Sequence, residues 1–422
     1  MNKFIKLDSA SNLRQNHLFS VLVVFMAFAH TYCIPGSPIT FGELLMFACL
    51  PFYYKQGMGY PLSRPEFGFI LWFVYMAIIS MVMGIVFDAP LTKYINIART
   101  FFYWFIIFFL GKNLFNRKVF EKSMIIFSIV LSVFILVQFF VYMLTGFYIP
   151  GLFFNLPISN GSASGLDTYL ISLRNAYYFG FIRPHGFLPE PAHVSQILFI
   201  SVIALVCNKE ITLSKKTTLF ALFSAAVIVT LSTTGIVLFG FACFLFLSVE
   251  KKLSVYRVPL VLMIIIIGFY VFLSDNDSSF SSIDRIVNII NGSDIDKSSD
   301  ARLNNGMNLF SDLPFVYKIF GTGLGLYQYV LNDLGFKDAD LYMNTFSSIF
   351  FYTGSVGGVI WFVSLITFFV MSGLLGKSLV LGFFIVTLGC NPFCQPQMIW
   401  FFLLILADIK EKNDRYSCTK LQ

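Results

Sequence analysis

Between Arg174 and His193, twenty residues hold two arginines, two histidines and one glutamate: Arg174, Arg183, His185, Glu190 and His193. The core of this strip reads Arg183-Pro184-His185-Gly186-Phe187-Leu188-Pro189-Glu190-Pro191, and its three prolines and one glycine impose a bent, non-helical backbone. Arginine offers anions a planar fork that never loses its charge, and glutamate and histidine are side chains that exchange protons with a reacting group. The set therefore suits anion recognition joined to general acid–base catalysis. A metal site fits poorly, because His185, Glu190 and His193 lack a recognised ligand spacing. Tyr177 and Tyr178 would equally serve an interfacial loop with aromatic anchors and solvated charges. Against that plainer reading, two of the chain's four histidines are concentrated here.

The elements that must position this strip follow from composition. Of 422 residues, 57% are hydrophobic and 12% charged, with 53 phenylalanines and 20 tyrosines. The 29 basic and 22 acidic side chains are too few to cover a soluble core of this size. A soluble enzyme, a nucleic-acid binder and a secreted disulfide scaffold are excluded. The expected fold is an all-α polytopic membrane protein, one integral membrane domain over 1–422. Apolar runs long enough to span recur at 18–35, 38–54, 67–87, 95–111, 123–145, 192–208, 217–233, 235–249, 257–273, 345–371, 377–390 and 394–409, about 12 helices in all. The pair 217–233 and 235–249 is split only by Ser232-Thr233-Thr234-Gly235, so one broken helix or two short ones are both open.

Lysine and arginine counts set the orientation. With a cytoplasmic N-terminus, 20 of the 29 basic residues fall on the inside, and only Lys93 and Arg99 lie in or beside short outer turns. Both termini are then cytoplasmic, and the net charge of +7 reports topology, not an acidic partner. No small-residue cleavage site follows the first apolar run, so that span is expected to stay as an anchor. Cys390 and Cys394 flank an outer turn, where small apolar residues at helix ends is the favoured reading over a disulfide.

Two outer loops break the rhythm, a first long periplasmic loop at 146–191 and a second at 275–344. Loops of this length are uncommon unless functional. Charges within the spans are few, chiefly Glu43 and Arg99, which moves the expected site to the outer face. In the second loop, residues 299–312 read as a short helix capped by Ser299 or Asp300 and carrying Arg302. The turn Gly321-Thr322-Gly323-Leu324-Gly325 follows, a candidate for presenting backbone N–H groups to an anion. That loop holds ten acidic against five basic residues, so Arg302 would act locally.

At these residues the chain resembles the bacterial O-antigen polymerases (Wzy) and, more distantly, the O-antigen ligases of the same superfamily. The resemblance rests on the strip at 183–191 before a span, the break at 232–235, and Arg302 followed by the glycine turn at 321–325. Tyr352-Thr353-Gly354-Ser355-Val356-Gly357-Gly358 in a later span completes it. The likeness in layout covers nearly the whole chain, although each motif is short. It implies an inner-membrane, multi-pass glycosyltransferase acting on undecaprenyl-diphosphate-linked oligosaccharide at the periplasmic face. Such enzymes pass the growing glycan onto the non-reducing end of an incoming lipid-linked repeat unit. A chain-length regulator, a flippase and membrane lipid are the implied partners; no nucleic acid, metal or cofactor is called for.

A diphosphate leaving group needs fixed cations, and Arg183, Arg302, Arg174 and then Arg99 are the candidates in order. The acceptor hydroxyl needs a base, with Glu190 the first choice and His185 the second. Ligases carry a His shortly before the corresponding span, whereas this chain has Tyr342-Met343-Asn344, which disfavours transfer to lipid A–core. Transfer to that core stays as the alternative. A lipid-linked oligosaccharide flippase, which would place paired charges deep in its spans, is the rival from another class.

Overall fold

The computed structural model describes residues 16–26, 28–37, 39–53, 63–152, 154, 156–158, 182–249, 306–335, 343–390 and 396–419. The expected span 257–273, Arg174, Arg302 and Cys394 lie outside the described residues. In chain order the helices are α1 (Asn16–Met26), α2 (Phe41–Tyr53), α3 (Arg64–Val86), α4 (Ile95–Gly111), α5 (Arg117–Thr145), α6 (Pro191–Cys207) and α7 (Leu213–Val229). They continue as α8 (Thr233–Val249), α9 (Gly306–Asp312), α10 (Phe315–Phe320), α11 (Tyr327–Asp333), α12 (Thr345–Met371), α13 (Leu374–Gly389) and α14 (Pro396–Thr419). Among the described residues the chain is all-helical, its only extended pairings being isolated bridges from Tyr32 to Ile158 and from Cys33 to Thr40.

By length and composition α3, α5 and α12 can each cross a membrane, and α1, α4, α6, α13 and most of α8 are apolar but shorter. The long helices are apolar on both faces. On α3, Phe69, Trp72 and Met76 are buried while Phe67, Leu71, Val74, Ile78, Met81 and Ile85 form an exposed stripe at helical spacing. Ile126, Val130, Val133, Val137, Phe140 and Leu144 repeat that stripe on α5, and Val356, Val359, Val363, Ile366 and Val370 on α12. A helix that is hydrophobic all round belongs in a core or in lipid.

The chain forms two compact units, one of Met1–Gln56 with Leu114–Ser293, the other of Gly57–Asn113 with Asp294–Gln422. In the first unit α5 packs on α6 and α7, and α6 packs on α8. The feet of these helices are level: Asn208 Nδ2 donates to Glu121 Oε2 (3.4 Å), Lys118 pairs with Glu210 (2.6 Å), and Lys216 Nζ donates to the Val206 carbonyl (3.0 Å). From the Glu121–Asn208 level α5 rises about 36 Å to Thr145, whereas α6 reaches Pro191 after about 25 Å. Non-helical chain fills the step so created. Tyr32, Leu152 and Ile158 form a small core there, and Phe28 meets Phe187 edge to face with ring centroids 5.5 Å apart. Glu43 serves as a helix cap: its carboxylate accepts from the Thr40 N–H (2.8 Å) and hydroxyl (3.1 Å) at the start of α2. The segment left open at 217–249 is two helices, α7 and α8, with the turn at 230–232 between them.

In the second unit α3 and α12 pack along one another, α10 lodges against α12, and α13 lies against both α12 and α14. Phe69 sits at the centre, with ring centroids 4.9 Å from Trp104, 5.4 Å from Phe368 and 5.2 Å from Phe402. Much of the aromatic content is thus interior packing. On α14, Asp408 accepts from the Gly373 and Gly376 N–H groups (2.6 and 3.0 Å) at the start of α13. One turn later Lys412 donates to the Met371 and Ser372 carbonyls (both 3.0 Å) at the end of α12. Each charge meets the helix end of opposite polarity.

Candidate functional site

The strip Ile182–Glu190 lies against the upper half of α5, held there by an amide. Gln138 Oε1 accepts from the Gly186 N–H (2.9 Å) and Gln138 Nε2 donates to the Ile149 carbonyl (2.9 Å), so one buried side chain ties together the two ends of the first long loop. Gly186 has φ +64°, and a Cβ there would stand 2.5 Å from Leu131 Cδ1. Glycine is required both by the left-handed backbone and by the close approach. Phe187 anchors the strip next to it, with ring centroids 5.4 Å from Phe127 and 6.1 Å from Phe134.

His185 closes the following turn. Its backbone carbonyl accepts from the Leu188 N–H (3.2 Å) and its Nδ1 donates to the Leu188 carbonyl, which leaves Nε2 as the unprotonated nitrogen of the neutral ring. Burial pushes its pKa down to about 4, with neighbouring Arg183 adding to the effect and the Leu188 bond and Glu190 opposing it. Both Arg183 and Glu190 therefore lie within electrostatic reach of the ring. As a base His185 is weak at neutral pH.

Glu190 is the residue that starts α6. Its backbone is extended (φ −144°, ψ 149°), its carbonyl accepts from the His193 N–H (3.1 Å), and Pro191 occupies the first helical position. Its carboxylate makes no cap hydrogen bond and is exposed. Beside it begins α8, where Ser232 Oγ accepts from the Gly235 N–H (3.2 Å). A Cβ on Gly235 would lie 2.3 Å from Ser195 Oγ, so the first turn of α8 meets the second turn of α6. Arg183, exposed, donates from Nη2 to the carbonyl of Leu231 (3.3 Å) in the turn leading into α8. Leu231 holds φ +55°, an uncommon backbone for a branched residue. The Arg183 guanidinium thus stands at the entrance to α8, whose first turn lies against α6 near its start, and helix N-termini favour an anion.

The second unit brings together the other two motifs, with a different result. Gly354 takes φ +60° and ψ −169° inside α12 and opens the helix. The carbonyls freed there are accepted into the glycine turn: Thr322 N–H donates to Phe351 O (2.7 Å) and Gly323 N–H to Tyr352 O (3.1 Å). The Leu324 N–H donates to Ser80 Oγ (2.8 Å) and the Gly321 N–H to Tyr317 O (2.8 Å). The expected anion turn is therefore a clasp, its amides from 321 to 324 spent on the protein. Asn344 caps α12 by accepting from the Ser347 N–H (2.8 Å) and donates to Leu388 O (2.7 Å).

Of the sequence candidates, Arg183, His185 and Glu190 are brought into one site, and Arg99 is half-buried on α4 of the other unit. Sequence reasoning passed over Gln138 and Leu231. The signal for Gln138 is an uncharged amide in an otherwise apolar span. No protein-family model matches the chain, and neither does any curated protein.

Proposed function

We propose that the chain is an O-antigen polymerase of the bacterial inner membrane, multi-pass, with both termini cytoplasmic and the strip at 183–190 facing the periplasm. The single observation that carries the reading is Arg183 at the entrance to α8, with the exposed Glu190 that starts α6 across His185 from it. The donor is a glycan on undecaprenyl diphosphate. A hydroxyl at the non-reducing end of the incoming lipid-linked unit attacks the anomeric carbon, the bond from that carbon to the phosphate oxygen breaks, and the diphosphate leaves on its lipid. Glu190 takes the hydroxyl proton, and Arg183 with the two helix ends receives the charge that develops on the diphosphate. A charge-assisted hydrogen bond contributes about 1.5–3 kcal/mol, so loss of Arg183 is worth one to two decades in rate. Arg174, Arg302 and Arg99 are the further cations of the proposal.

The exposed apolar stripes of α3, α5 and α12 support the membrane setting. Asn344, engaged as a helix cap, supports polymerase over ligase, because the ligase base would be needed there. The test is a deletion strain complemented with Arg183→Ala or Glu190→Ala at normal protein level. Lipopolysaccharide capped with single repeat units and no polymer is expected from each. Full-length polymer from both overturns the site, and absence of any glycan on the core in the deletion strain itself points to a ligase.

A further inference from the structure

Gln196 is fully buried on α6, and neither its Oε1 nor its Nε2 has a hydrogen-bond partner among the described residues. An unmade hydrogen bond on a buried polar group costs about 1–3 kcal/mol, and a glutamine carries two such groups. The other long amide in this helix packing is fully used, since Gln138 bonds at both ends. Polar groups along the same helices are likewise satisfied: Ser128 with Ser201 (2.6 Å), Ser195 with Pro191 O (3.0 Å), Ser224 with Phe220 O (2.7 Å). Gln196 departs from that pattern, and so does Ser132 Oγ on α5.

The two departures sit at one height. α5 and α6 run antiparallel in a register marked by Ser128 with Ser201 and Glu121 with Asn208. Carried upward by one turn, that register places Ser132 opposite 196–197. Gly186 of the strip packs on Leu131 and Ile135 at the same level of α5. Gln196 also shares a face of α6 with His193, three residues before it, and lies six residues after Glu190. That is a rise of about 9 Å, and helical side chains lean toward the helix N-terminus, so the amide reaches back toward the first turn of α6.

We infer that Gln196 is a binding residue for the acceptor sugar, its amide taking hydroxyl groups of the incoming unit near the start of α6. The inference rests on the polymerase reading. An uncharged group with two donors and one acceptor matches a pair of sugar hydroxyls and does not compete with Arg183 for the diphosphate. The contact forms as substrate enters, since the amide is covered in the free protein.

The experiment uses full-length protein in detergent, with lipid-linked repeat units extracted from a polymerase-deletion strain. Wild type and Gln196→Leu are compared for acceptor KM, kcat and melting temperature, with Gln196→Glu as the variant that keeps a polar group. The expected result for Gln196→Leu is an acceptor KM raised tenfold or more, a largely unchanged kcat, and a melting temperature equal to or above wild type, with partial recovery of KM in Gln196→Glu. An unchanged KM overturns the inference, and so does a lowered melting temperature with loss of activity, which marks a structural amide. If wild type itself makes no longer product, the enzyme reading fails and takes this inference with it; wild-type elongation with an unaltered Gln196→Leu removes the inference alone.

Discussion

The side chain of Gln138 receives the backbone N–H of Gly186 at 2.9 Å, and with its other end holds Ile149. Two loop segments 37 residues apart in sequence are thereby fixed to one point on α5. Gln138→Leu keeps the volume and removes both bonds, leaving a buried N–H and a partly buried carbonyl unmade. The expected cost is about 2–4 kcal/mol, read as a lowered melting temperature in detergent and, on the polymerase reading, as loss of polymer in complemented cells. Unchanged stability would mean that packing around Gly186 and Phe187, with the Arg183 bond to Leu231, holds the strip without the amide.

The clasp in the second unit offers a separate test. A Cβ on Gly354 would stand 2.2 Å from the Ile319 carbonyl, on a backbone with φ +60°. Gly354→Ala is expected to destabilise by more than about 1 kcal/mol from backbone strain alone, with the collision adding to it. Gly240, where a Cβ meets nothing within 4 Å, is the control, and Gly240→Ala should leave the melt unchanged or slightly raised.

Charge placement on α14 predicts an asymmetry. Asp408→Ala strips the Gly373 and Gly376 amides of a charged acceptor, at an expected cost of about 2–3 kcal/mol. Lys412→Met exposes carbonyls at a partly buried helix end and should cost about 1 kcal/mol. Chemical denaturation of the two variants checks the order; a larger loss from Lys412→Met would reverse it.

His185 gives the fold an acid-sensitive point. Its folded pKa is about 4 against an ordinary 6.5, so between those values the unfolded chain binds a proton that the folded chain refuses. Stability is full above pH 6.5 and falls as pH is lowered toward 4, by about 3 kcal/mol for this residue. His185→Phe should flatten melting temperature against pH over that interval; an unaltered slope would assign the sensitivity to other groups.

The strip was legible in the sequence because proline, glycine and charge act locally: Pro189-Glu190-Pro191 ends an extended segment and starts α6 with no help from the rest of the chain. The helical class was legible from apolar content. What resisted reading depends on register between distant elements. Nothing near Gln138 or Gln196 says which is satisfied, since that follows from how α5 lies on the strip and on α6. The glycine turn misled for the same reason, its acceptors Phe351 and Tyr352 lying some 30 residues onward, in a helix whose break hydropathy does not reveal.

The unequal heights of α5 and its neighbours bear on how a ligand arrives. A lipid carrier drifts in the plane of its bilayer and offers its head group from the side, never from above. A helix that overtops α6 by about 10 Å leaves the strip on a ledge below its crest. On the polymerase reading, glycans still attached to their lipid would come alongside such a ledge without leaving the bilayer. The same sugars freed into water have to search for it in three dimensions.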